Sequence, residues 1–207
     1  MMAGEPGGYG LVLAERDLRG PGKSTEVVTP NDLLCDAPQM ATRSSEELNA
    51  LEDLRQLKYR YFRTLDLKQW DEFADTLAED IVAEYGTHAM GEPLVFDGRD
   101  ALAGFMRQTL SPAITSVHFA HHPEITVAGS TAEGSWAFED TVIVLEARRV
   151  IRGAGYYRDR YRRDDDGRWR ISGTTYERIY ESVISLDDVP SFAFLSHMWA
   201  QPPAKGA

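Results

Sequence analysis

AEGSWAFEDTVIVLEARRV, residues 132–150, sets Trp136, Phe138, Asp140, Val142 and Val144 on one parity and Glu133, Ala137, Glu139 and Thr141 on the other. A period of two over this length marks a β-strand with one face turned to a core. The apolar parity carries an acid, Asp140. An unpaired carboxylate among large apolar side chains is costly, so Asp140 calls for a partner or a chemical use.

Working outward, the same texture holds for ITSVHFAHHPEITVAG (114–129), GAGYYRDRYRRDD (153–165) and RWRISGTTYERIYESV (168–183). The intervening stretches AGST (128–131), RGAG (152–155) and DDDG (164–167) are short and contain glycine, which predicts turns of an antiparallel meander. Upstream the period changes. In SSEELNALEDLRQLKYRYFRTLD (44–66), Ser44 with Glu47 makes a capping-box start, and Leu51, Leu54, Tyr61, Phe62 and Leu65 form one helical stripe. A second helix is expected over KQWDEFADTLAED (68–80), burying Trp70, Phe73 and Leu77. A third, over FDGRDALAGFMRQTL (96–110), opens at Asp97 and Asp100 and turns Leu102, Phe105, Met106 and Leu110 inward. DIVAEYGT (80–87) and PLVF (93–96) between them predict a short hairpin. Helices first and a curved sheet last is an α+β architecture: three N-terminal helices packed on a strongly curved, mainly antiparallel sheet.

The organisation expected is a leader over 1–43 without periodicity, a domain over 44–185 and a C-terminal tail over 186–207 that lies across the barrel mouth, lies against a partner subunit or stays loose. Met40 is an alternative start. The 207 residues suffice for one core. A net charge of −11, from 22 Lys and Arg against 33 Asp and Glu, disfavours nucleic acid and anionic membrane as partners. No apolar run approaches membrane-spanning length, and the single cysteine, Cys35, forms no internal disulfide; a cytoplasmic location fits.

Three of the five histidines fall in SVHFAHHP (116–123). His118 and His121 are three apart on a strand, an odd spacing that points them to opposite faces, so they cannot share a metal ion without a bulge. No metal and no cofactor are expected. Strand phase alone leaves open whether His118 or His121 is inward. Asp66 ends the first helix one turn after Phe62, where it either points into the space under the sheet or caps the next helix. Tyr61 is either a pocket hydroxyl or a core tyrosine. Tyr157, Asp159 and Tyr161 share one parity, opposite Arg158, Arg160 and Arg162. Arg178 shares phase with Arg168 and Arg170, an exposed set unless SGTT (172–175) forms a bulge.

The ordered succession YRYFRTLD, KQWDEFADTLAED, FDGRDAL, SVHFAHHPEITVAG, GSWAFEDTVIV and YYRDRYRRDDDGRWRISGTTYERIYE resembles the SnoaL-like branch of the nuclear-transport-factor-two superfamily over about residues 46–182. That branch includes scytalone dehydratase, bile acid 7α-dehydratase, a hexachlorocyclohexane dehydrochlorinase and polyketide cyclases, with ketosteroid isomerase more distant. The resemblance implies a cone-shaped, cystatin-like α+β barrel and a cofactor-independent lyase of dehydratase type acting on a hydrophobic, ring-containing small molecule. Its catalytic positions fall on Tyr61, Asp66, His118, Asp140 and Arg178, and this placement separates His118 from His121. Trp136, Phe138, Tyr157, Asp159, Tyr161 and His121 are the expected pocket residues. In the implied chemistry His118 removes a carbon-bound proton, Asp66 orients it, and Tyr61, helped by Arg178 or a protonated Asp140, hydrogen-bonds the enolate and leaving group. Alternatives are an isomerase or cyclase using the same enolate, or a noncatalytic ligand-binding or accessory module. A homodimer or homotrimer is expected.

Overall fold

The computed structural model describes residues 42–86 and 91–199, all but Thr42 within a unit spanning Arg43–Ala207. Cys35, Met40 and nearly all of the expected leader lie outside the described residues. The element order is α1 (Ser45–Asp66), α2 (Trp70–Asp75), β1 (Leu77–Tyr85), β2 (Leu94–Asp97), α3 (Arg99–Thr109), β3 (Ile114–Ala128), β4 (Thr131–Val144), β5 (Arg149–Arg163) and β6 (Trp169–Ser185). The architecture is the expected α+β one. Helices pack against a curved sheet of six strands in the order β2-β1-β6-β5-β4-β3, antiparallel throughout except where β1 runs parallel to β6.

Helix α1 begins where Ser44 accepts a hydrogen bond from the Glu47 backbone N–H (3.1 Å), satisfying one of the orphan donors of the first turn. Its stripe Leu51, Leu54, Tyr61, Phe62 and Leu65 is buried against Phe73, Ile81, Leu102, Trp136, Phe138 and Ile171. Lys68, at φ 58°, ends the helix and redirects the chain.

Three local expectations need correction. The second helix is a short turn, and Leu77 onward is strand: Ile171 donates its N–H to the Thr76 carbonyl, so pairing with β6 claims the segment. The third helix is capped by Gly98, at φ 90°, rather than by Asp97. RGAG is no turn; Arg149–Arg163 is one continuous strand, and the chain reverses at Leu145–Arg148, where Arg148 adopts φ 50°.

Bulges decide which residues face inward. In β3 the register slips between His121 and Glu124, with His122 at φ 47°. His122 is therefore a bulge residue rather than a strand end. Inward parity changes there, from Ser116, His118 and Ala120 to Ile125 and Val127. In β6 a slip falls between Ile171 and Gly173, inside SGTT, and a second separates Arg178 from Tyr180. The first takes Arg178 out of phase with Arg168 and Arg170 and turns it to the inner face.

The tail from Leu186 to Trp199 has neither helix nor strand. It leaves the sheet at an Arg148–Asp187 ion pair (2.5 Å) and returns to the end of α1, where the Trp199 ring lies 4.3 Å from Lys68 Nζ.

Candidate active site

His118, Asp66, Asp140 and Arg178 come together at one end of the inner sheet face. Asp66 accepts three hydrogen bonds, from Ser116 Oγ (2.8 Å), the His118 backbone N–H (2.8 Å) and His118 Nδ1 (2.7 Å). Its alternative role as a helix cap is excluded, since the N-cap of α2 is Gln69. The Asp66 carboxylate only accepts, so Nδ1 carries the proton and Nε2 is the basic nitrogen of the neutral ring. The imidazole lies parallel to Phe62, with centroids 5.4 Å apart and planes 3° apart. Ring orientation is thus held at one nitrogen and on one face.

Nε2 faces Asp140 Oδ2 at 3.9 Å, too far for a direct hydrogen bond. Asp140 instead takes both Nη1 (3.0 Å) and Nη2 (2.6 Å) of Arg178, with its side chain 3% exposed. A carboxylate bound on both oxygens by a guanidinium is the charged form. Both Asp140 oxygens are thereby engaged as acceptors, which leaves Arg178, of the two helpers expected, as the group that donates here. Arg178 is held above its ordinary basicity: burial works against the charge, and the Asp140 hydrogen bonds and charge more than offset it.

The glycines of β5 make this pair geometrically possible. A Cβ on Gly153 would stand 1.8 Å from Arg178 Nη1, and one on Gly155 would stand 2.0 Å from the Glu177 carbonyl oxygen. Their lack of side chains lets Arg178 lie across the β5 backbone to reach Asp140.

Phe138, Tyr157 and Tyr176 continue the wall. Tyr157 packs edge-on to Phe62 (5.4 Å) and Phe138 (4.7 Å), and Tyr176 contacts both Phe138 and Tyr157. Tyr61 occupies the neighbouring flank of α1. Its hydroxyl lies 2.6 Å from that of Tyr85, a residue that sequence reasoning missed; burial first, then mutual proximity, pushes Tyr61 far above its ordinary range. Tyr85 stacks on Tyr176 and so reaches toward Arg178.

Other expected pocket residues are placed elsewhere. Asp159, Tyr161 and Trp136 form a separate buried network: Trp136 Nε1 donates to Tyr161 Oη (2.7 Å), Tyr161 donates to Asp159 (2.8 Å), and Thr174 donates to Asp159 (2.7 Å). Lys58, fully buried, pairs with Asp159 at 2.7 Å and sits 3.9 Å from the Tyr157 ring centroid. These polar atoms are engaged with one another inside the core, which corrects the reading of Trp136 and Tyr161 as pocket groups. Lys58 had a legible signal, a lysine on the apolar stripe of α1 facing the inward parity of Asp159. His121 is also corrected: it lies on the outer face, stacked on Phe119 (6.0 Å) and 3.8 Å from Glu139. Among the described residues, no group of three or more His, Cys, Asp or Glu side chains is arranged to hold a metal ion. Among them no helix is long and apolar enough to cross a membrane.

A SnoaL-like domain profile matches residues 46–175. The chain belongs to the SnoaL-like family. The matched part of this SnoaL-like chain contains Tyr61, Asp66, His118 and Asp140 and stops before Arg178. Solved structures share its cone fold at low identity. A hexachlorocyclohexane dehydrochlorinase from Novosphingobium barchaimii is 18% identical with TM-score 0.56, covering 67% of this chain and 92% of its own. A candidate scytalone dehydratase from Novosphingobium aromaticivorans is 18% identical with TM-score 0.58, covering 65% and 87%. The ActVI-ORFA protein of Streptomyces coelicolor is 11% identical with TM-score 0.53, covering 63% and 98%.

Proposed function

We propose that the chain is a cofactor-independent lyase of dehydratase type that removes a carbon-bound proton from a hydrophobic, ring-containing small molecule. The observation that supports this best is the Asp66–His118 contact, 2.7 Å at Nδ1, with Asp66 further tied to Ser116 and the His118 backbone. A base held in one tautomer by a half-buried carboxylate presents its other nitrogen to the substrate. When Nε2 takes the proton, the imidazolium is flanked by Asp66 and, 3.9 Å away, by Asp140, and both carboxylates stabilise it. The Tyr61–Tyr85 hydroxyl pair has a proton left over once one hydroxyl donates to the other, and it supplies the hydrogen bond to the developing enolate. Phe62, Phe138, Tyr157 and Tyr176 offer ring faces to an apolar substrate.

An isomerase or cyclase would share the first step and differ in the fate of the enolate; a noncatalytic module would have no use for the pinned histidine. The reading includes a homodimer or homotrimer, in keeping with Val117, Phe119, Tyr156 and Ile179 exposed on the outer sheet face. The test is a thermal-shift screen of small carbonyl-containing polycycles, followed by product analysis of the hits with wild type and His118→Ala. Elimination products formed by wild type and lost in the variant support the lyase. Turnover that survives His118→Ala refutes it.

A further inference from the structure

Arg178 is enclosed on every side that the described residues define. Asp140 takes the edge formed by Nη1 and Nη2, at 3.0 and 2.6 Å. The rings of Phe138 and Tyr176 lie 5.4 and 5.5 Å from the guanidinium carbon, and the Gly153 backbone closes the Nη1 side. What remains is Nε, and Glu181 Oε2 stands 3.2 Å from it. That contact is an ion pair without an aligned hydrogen bond, because Nε is buried and has no hydrogen-bond partner of good geometry. It is the weakest contact of the guanidinium and the one an incoming acceptor would displace.

The charge around this point is unbalanced. Asp66, Asp140 and Glu181 face Arg178 and a neutral or singly charged His118. Lys68, two residues beyond Asp66, lies over the Trp199 ring and also feels the Asp66 charge, which leaves one carboxylate in excess while His118 is neutral. An anionic ligand group arriving at Arg178 has to expel Glu181 and then sit among carboxylates in a largely dehydrated place, where like charges repel strongly.

We propose that Glu181 is a specificity-determining residue: its carboxylate occupies the remaining edge of Arg178, so the site accepts ligands that are uncharged where they meet the guanidinium and turns away those carrying a carboxylate or phosphate there. Glu181 adds the repulsive group that stands directly against one class of ligand. The inference rests on the proposed reading only in taking the His118 cluster as the place where ligand binds.

The test compares two probes of one shape, 2-naphthol and 2-naphthoate, titrated calorimetrically at pH 7 into the full-length wild type, Glu181→Gln and Glu181→Asp. Wild type is expected to bind the naphthol roughly tenfold or more tightly than the naphthoate. Glu181→Gln is expected to shrink that ratio about fivefold or more, through a gain by the naphthoate alone, and Glu181→Asp to restore it. Glu181 lies at a partly exposed strand position with its side chain 24% accessible, so both variants are expected to fold. Naphthoate binding as tightly as naphthol in wild type, an unchanged ratio in Glu181→Gln, an equal gain by both probes, or no binding of either overturns the inference. Because the readout is binding, the two proposals fail separately. A preserved ratio with no lyase turnover on any substrate dismisses the reaction and leaves the selectivity standing, whereas turnover with an unaltered ratio does the reverse.

Discussion

Replacing Asp66 by asparagine changes one oxygen for an amide nitrogen, and the surroundings dictate how the new side chain sits. Asp66 Oδ2 accepts from the His118 backbone N–H, a donor that only an oxygen at this position can satisfy, so the single asparagine oxygen is expected to remain there. The amide nitrogen then replaces Oδ1, which accepts from Ser116 Oγ at 2.8 Å and from His118 Nδ1 at 2.7 Å. Serine adapts by accepting. The imidazole accepts at Nδ1 only by moving its proton to Nε2, the nitrogen proposed to face substrate. Three hydrogen bonds to a charged acceptor become bonds to a neutral amide, a loss of about 1 kcal/mol each and roughly 3 kcal/mol together. Turnover is expected to fall by about two to four orders of magnitude, the usual contribution of a positioned base. The tautomer is read by long-range proton–nitrogen correlation of the His118 ring, at a pH high enough for the ring to be neutral, and stability by denaturant titration. Wild type should show Nδ1–H and Asp66→Asn should show Nε2–H. A variant that keeps Nδ1–H, or a wild type that lacks it, would refute the reasoning.

His118→Ala is expected to remove nearly all turnover while His121→Ala and His122→Ala stay close to wild type, because the latter two lie on the outer face and in a bulge; a larger loss from His121→Ala in the same assay would invert the assignment. Lys58→Met strands a fully buried Asp159 and should cost about 3–5 kcal/mol in denaturant unfolding, with much of that recovered when Asp159→Leu is added; no recovery would mean that the two charges do not act as a pair. Gly153→Ala forces Arg178 away from Asp140 and should destabilise by a similar amount, about 3–5 kcal/mol, with loss of the protected Arg178 Nε–H resonance as the specific sign. On the surface, Asp75, Asp80 and Asp166 are held below their ordinary values: Asp166 sits at about 2, chiefly through Arg170, Asp80 is lowered chiefly by Arg162, and at Asp75 the pull of Arg168 and Arg170 outweighs burial. Their folded values lie below the unfolded one, so what they contribute is present above about pH 4 and fades as pH falls toward 2. Arg170→Gln should therefore move the acid-unfolding midpoint to higher pH, and an unmoved midpoint would count against these pairs.

Much of the fold was legible because it is local. The capping serine and the 3.6-residue stripe of α1, and the alternation of β4 and β5, depend on neighbours within a few residues, and each appears in the structure, although β4 ends at Val144 and β5 begins at Arg149, ahead of the expected turn. Segment boundaries failed where pairing outweighs pattern: Leu77 onward has a helical period, yet the edge of β6 takes it as a strand. The site divides the same way. Asp140 announced itself as an acid on an apolar parity, but its guanidinium partner is 38 residues away. Only the bulge in SGTT turns Arg178 inward, and a bulge is a property of two paired strands rather than of one. His118 and His121 are equivalent by phase alone; the choice is made by Asp66, 52 residues earlier, whose carboxylate holds both the backbone and the ring of His118. Of the Lys58–Asp159 pair only Asp159 was read from the sequence, by its parity, since the pairing exists only once the chain brings α1 to β5. Periodicity records which side of an element is apolar; which polar groups meet inside is set by register and by the crossing of elements, and those arise only when the chain closes on itself.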